Sequence, residues 1–118
     1  MRIALAALSL LVAGASEPPD RVVHVVARRF TYTPEVIELR LGVPVVVELT
    51  SADRDHGFSV PELGLRIDVE PGKTASVRFV PSKTGTFVFH CDVFCGSGHE
   101  EMAGRIVVST PGGVSRAH

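Results

Sequence analysis

The sequence has no tryptophan and only two cysteines in 118 residues. It has no surplus of charge of one sign either: 12 Lys and Arg stand against 13 Asp and Glu, a formal net charge of −1. That balance excludes a generally basic nucleic-acid binder, which needs an excess of Lys and Arg to meet phosphates. No apolar run approaches the roughly 20 residues of a membrane-spanning helix. No Gly-rich phosphate loop or Ser/His/Asp signature is present, which argues against a nucleotide enzyme. No stretch sustains a 3.6-residue apolar period, so long amphipathic helices are not expected. Repeats, low-complexity tracts and linkers are also missing, and the length suits one domain. What remains is 45% apolar and 21% charged, the composition of a packed globular core.

The two ends read differently from the middle. Met1 and Arg2 give a minimal basic start, and Ile3 to Ala15 is apolar and leaves through Ala13, Gly14 and Ala15. Charge, short apolar run and small-residue exit together predict a secretory signal over residues 1–15, cleaved after Ala15, with an uncleaved anchor as the alternative. Residues 16–20 follow as a polar leader, residues 21–110 as the domain, and residues 111–118, opening on Pro111, as a flexible tail. Export places the chain in the periplasm or outside the cell, where thiols persist as disulfides or metal ligands.

Within the domain, β-branched and aromatic runs alternate with turn residues. Val22 to Tyr32, Val36 to Leu41, Val43 to Thr50, Leu65 to Val69, Thr74 to Val80, Thr86 to His90 and Arg105 to Ser109 read as strands. Turns fall at Gly42, Glu70 to Lys73 and Pro81 to Gly85, and Glu62 to Arg66 offers one helical turn. Pro44 sits near the start of its strand, where a missing donor does least harm. About seven strands of this kind predict an all-β, antiparallel β-sandwich.

One segment carries the chemistry. From His90 to Met102 the chain contains both cysteines, Cys91 and Cys95, then His99 and Met102. A second imidazole, His56, follows Asp53, Arg54 and Asp55 in what reads as a loop. Thiolates, imidazoles and a thioether suit copper. Zinc would accept two Cys and two His, yet gives Met102 no role. Two cysteines four apart could also close a small disulfide, which leaves the His and Met spacing unexplained. Gly96 and Gly98 allow the loop to fold back so that Cys95 and His99 converge. His90 adjoins Cys91 without the placing of a ligand, and His24 and His118 have no partner residues near them in sequence.

The pattern Cys-x-x-x-Cys-Gly-x-x-His-x-x-Met, here Cys91 to Met102, resembles the ligand loop of the dinuclear copper A domain of cytochrome oxidase subunit II. Asp53 to Phe58 is similar to that family's Asp-x-x-His segment, and the likeness covers roughly residues 40 to 109. The resemblance implies a cupredoxin Greek-key β-sandwich. It implies Cys91 and Cys95 as bridging thiolates, His56 and His99 as terminal imidazoles, Met102 as a weak axial ligand and the Val93 carbonyl as the other weak ligand. The implied cofactor is a pair of copper ions, and the implied task is one-electron transfer, with no substrate bond made or broken.

Three features shape the expected role. The missing Trp removes the aromatic cluster where subunit II proteins commonly take electrons from cytochrome c. Val93 stands where many of them carry a carboxylate, and no membrane span remains after cleavage. The expectation is therefore a monomeric exported carrier serving a redox partner such as a cytochrome c or a terminal oxidase. Its alternatives are a membrane-associated subunit II of a haem-copper oxidase and a copper-delivery protein for oxidase assembly. Phe58, Val93 and Phe94 are expected to exclude water from the site. Asp53, Asp55, Asp92, Glu100 and Glu101, against Arg54 and Arg105, are expected to give that end an acidic excess that steers a basic partner.

Overall fold

Apolar side chains at every second position set the two faces of most strands in the structure, a computed structural model that describes residues 21–111. The expected leader segments, 1–15 and 16–20, and the tail beyond residue 111 lie outside the described residues. The strands are β1 (Arg21–Arg28), β2 (Thr31–Thr33), β3 (Val36–Arg40), β4 (Val45–Ser51), β5 (His56–Val60), β6 (Leu65–Val69), β7 (Ala75–Phe79), β8 (Gly85–His90) and β9 (Ala103–Ser109). They form two sheets, ordered β2-β1-β4-β7 and β3-β9-β8-β5-β6. Between the sheets lie Val25 and Ala27 of β1, Ile37 and Leu39 of β3, Val45, Val47 and Leu49 of β4, and Ile106 and Val108 of β9, all buried. Such burial, roughly 1.5–3 kcal/mol for each large apolar side chain, holds the sandwich shut. Among the described residues no helix is long and apolar enough to cross a membrane.

The all-β sandwich matches the sequence reading, with four differences of detail. The pairing is mixed, since β1 runs parallel to β4 and β3 parallel to β9. The expected strand from Val22 to Tyr32 breaks at Arg29 and Phe30, and its second part returns antiparallel as β2. The helical turn is a 3-10 turn at Pro61–Leu63, closed by the left-handed Gly64, and strand β6 takes over at Leu65. His56 lies not in a loop but at the head of β5, a strand buried at four of its five positions.

Strand β5 creates the opening at which the candidate site is built. It pairs along its length with β6, from His56↔Val69 to Val60↔Leu65, but meets β8 in register only at Ser59↔His90. The heads of β5 and the β8–β9 connection therefore face each other without a backbone ladder. β8 and β9 remain paired up to His90↔Ala103, and Cys91 N donates to Met102 O at 3.1 Å just beyond. The connection from residue 91 to residue 102 leaves and rejoins the sheet at one neck.

Candidate metal centre

Three segments converge at this end of the sandwich: the turn between β1 and β2, the turn leading into β5, and the loop from Cys91 to Met102. Cys91 and Cys95 are buried, unoxidised thiols whose Sγ atoms stand 3.8 Å apart. Each faces one imidazole. Cys91 Sγ lies 3.9 Å from His56 Nδ1, and Cys95 Sγ lies 3.7 Å from His99 Nδ1. Met102 Sδ is 3.8 Å from Cys95 Sγ, and the Cys91 thiol donates to the Val93 carbonyl oxygen at 3.1 Å. The donor atoms of His56, Cys91 and Cys95 all fall within 4.8 Å of one another. All six residues singled out from the sequence thus meet in one place.

The loop's shape follows from its glycines and 3-10 turn. Gly96 and Gly98 both adopt positive φ, at 139° and 120°. At Gly98 a Cβ would come within 3.0–3.2 Å of the Phe30 ring, so the turn between β1 and β2 packs directly on the glycine backbone. His99 N donates to Gly96 O at 3.1 Å and Met102 N to His99 O at 3.1 Å, which curls the segment so that His99 and Met102 both return to Cys95.

His56 is oriented from behind. Its Nε2 lies 2.7 Å from Asp53 Oδ1, which fixes the tautomer with the proton on Nε2 and leaves the Nδ1 lone pair facing Cys91. Burial works to raise the Asp53 carboxyl, but hydrogen bonds from Arg29 N, His56 and Arg54 N outweigh it and bring it down to about 2. Gly57, next to His56, is held on both sides. Its N–H points at Cys91 Sγ, 3.4 Å away, and its carbonyl accepts from the Tyr32 hydroxyl at 2.7 Å. Burial, reinforced by the nearby Cys91, raises the Tyr32 hydroxyl far above its ordinary range, so it remains a donor. Burial likewise pushes the Cys95 thiol up to about 11, with Cys91 adding to the rise, so the metal-free thiol keeps its proton at neutral pH.

Water exclusion is arranged differently from the sequence expectation. Phe58 is fully buried, with its ring 4.8 Å from that of Phe89 and 6.1 Å from that of Tyr32. Phe94 instead is 69% exposed, with its ring 5.6 Å from the His99 imidazole, and Val93 is half-buried. The inner wall is therefore Phe58, Phe89 and Tyr32, while Phe94 is the outer apolar surface. The expected acidic rim is also reduced, because Asp53 turns to His56 and Asp92 is bound by Arg66. The Arg66 hydrogen bonds hold the Asp92 carboxyl below its usual range against the effect of burial. His90 stays in the ladder opposite Ala103, and His24 pairs with Glu48 at 3.2 Å. Arg66, Tyr32 and Phe30 are contributors that the sequence did not announce; each reaches the site from a distant strand or turn.

The family model of the cupredoxin-like domain matches residues 1–108 of the chain. Cytochrome c oxidase subunit 2 of Thermus thermophilus is 37% identical over 91 residues, which cover 77% of this chain and 67% of that protein. A subunit 2 from another strain of the same species is equally similar, and the match spans 54% of its length. In three dimensions the periplasmic domain of subunit II of cytochrome oxidase of Bradyrhizobium japonicum superposes with a TM-score of 0.72 at 22% identity, covering 80% of this chain and 87% of that one. That last likeness is one of fold.

Proposed function

The chain belongs to the cupredoxin-like family and is a homologue of cytochrome c oxidase subunit 2, and on that premise we propose that it is an exported electron-transfer protein with a dinuclear copper A centre. Cys91 and Cys95 would hold both coppers, His56 and His99 one each, with Met102 and the Val93 carbonyl as weak ligands. A bound copper pair supplies one-electron redox chemistry. The observation that carries the reading is the donor set itself: two reduced thiols 3.8 Å apart, each turned to an imidazole Nδ1, with a fully buried thioether alongside. The second thiol has no use in a mononuclear site, and the thioether none in a zinc site.

The chain's own part is to bind, orient and insulate. Asp53 fixes His56 in the tautomer that presents Nδ1. The neck between Cys91 and Met102 joins two ligands through one backbone hydrogen bond, so they cannot drift apart as charge changes. Phe58, Phe89 and Tyr32 exclude water on the inner side, which lowers solvent reorganisation when an electron moves. Phe94, exposed and against His99, offers the apolar approach for a redox partner such as a cytochrome c. Cys91→Ser and Cys95→Ser should each abolish the sulfur-to-copper absorption of the reconstituted protein. Retention of that absorption in Cys91→Ser would overturn the bridging role.

The 37% identity to a subunit 2 favours a second reading, in which the chain works as part of a haem-copper oxidase. Fractionation of the native host decides between them. A periplasmic carrier is released by osmotic shock without haem subunits, whereas an oxidase component co-purifies with a membrane haem-copper core.

A further inference from the structure

Arg66 on β6 reaches across to the ligand loop and grips Asp92 with two parallel hydrogen bonds, Nε to Oδ2 and Nη2 to Oδ1, both at 2.8 Å. Its third nitrogen, Nη1, is anchored to Asp68 of its own strand at 2.6 Å. Asp92 lies between Cys91 and Val93, two residues of the proposed ligand set. The grip passes over Gly57, the residue after His56, where a Cβ would overlap Asp92 Oδ1 and come within 3.2 Å of both Arg66 Nη2 and Val93 Cγ2. One guanidinium thus links the strand beside His56 to the segment between the two thiols.

An exposed ion pair is ordinarily worth about 0–1 kcal/mol, and these side chains are 41% and 30% exposed. The forked, two-ended geometry makes this pair more than an average one, because a planar guanidinium fixes the carboxylate's direction as well as its distance. The segment it holds has little else to hold it: Asp92 and Phe94 point to solvent, and β5 and β8 no longer pair at this level.

We propose that Arg66 is a positioning residue for the metal centre, which through Asp92 locks the Cys91–Cys95 loop in its metal-ready form and offsets the Asp92 charge beside the thiols. The proposal rests on the reading of the site as a copper centre. Apparent metal affinity scales with the fraction of protein already in the competent conformation, so a lock of this kind acts before any metal arrives.

The test uses the full chain carrying Arg66→Gln, Asp92→Asn, the double substitution, and Arg66→Lys, which keeps charge but cannot fork. In reduced, metal-free protein, both single variants should react with a thiol reagent about fivefold faster than the parent, the factor that corresponds to about 1 kcal/mol of easier local opening. The double variant should be no faster than either single, and Arg66→Lys should fall between parent and Arg66→Gln. Reduction potentials of the copper-loaded variants give the reading that a merely structural role would not move. Arg66→Gln leaves a carboxylate uncompensated and should lower the potential, whereas Asp92→Asn leaves a cation and should raise it. Unchanged thiol rates, or additive rates in the double variant, would overturn the lock. Potential shifts of one sign in both variants would overturn the charge offset. Failure of the parent itself to bind copper would overturn the proposed function, while the thiol rates would still judge the lock.

Discussion

Replacing Tyr32 by Phe removes one oxygen atom from the innermost support of the site. Tyr32 is 2% exposed, and its hydroxyl donates at 2.7 Å to the carbonyl of Gly57, a buried residue 25 positions along the chain. Its ring meets Phe89 edge-on at 4.9 Å and Phe58 at 6.1 Å, and Phe can make both contacts unchanged. The substitution therefore deletes a hydrogen bond without opening a sizeable cavity. A hydrogen bond contributes about 1 kcal/mol on average, and a buried acceptor left without its donor costs up to about 3 kcal/mol. For a domain of this size, each kcal/mol lowers the melting temperature by about 4–8 °C. Thermal unfolding of reduced, metal-free protein followed by circular dichroism should show a drop of at least about 4 °C for Tyr32→Phe. Since Gly57 also directs its N–H at Cys91 Sγ, copper affinity should fall alongside. An unchanged melting temperature would refute the view that Tyr32 braces the head of β5.

Two further substitutions probe the ligand shell. Met102→Leu conserves volume at a fully buried position, so the fold should lose less than about 1.5 kcal/mol; copper should be retained and the reduction potential should shift, which voltammetry of the loaded protein measures. Asp53→Ala frees the His56 ring from its 2.7 Å partner, and copper affinity measured by competition with a chelator should fall about 10–100-fold.

The ligand loop was legible because its residue types are rare in this chain and sit at fixed short spacing. Once Cys91, Cys95, His99 and Met102 were in view, local backbone curvature through Gly96 and Gly98 was enough to bring three of them together. His56 was legible as a residue but not as part of a strand. His-Gly-Phe-Ser-Val lacks alternation because β5 is buried nearly throughout, and its Gly weakens the strand signal. The break at Arg29 and Phe30 carries no Gly or Pro, so the run from Val22 to Tyr32 read as one strand. Parallel pairing of β1 with β4 and of β3 with β9 is a tertiary outcome that no local pattern encodes. Phe94 was expected to shield the site because it is aromatic, yet a loop can turn such a ring outward at little cost when the wall behind it is already filled by Phe58 and Phe89. The grip of Arg66 on Asp92 joins residues 26 apart, and each looks like an ordinary surface charge until the strands are assembled.

Electron paramagnetic resonance of the oxidised, copper-loaded chain tests the central claim most directly. With the metal content measured on the same sample, the account expects two coppers per chain and one unpaired electron whose hyperfine coupling is shared equally by two copper nuclei. Coupling to a single copper nucleus, or one copper per chain, would contradict it.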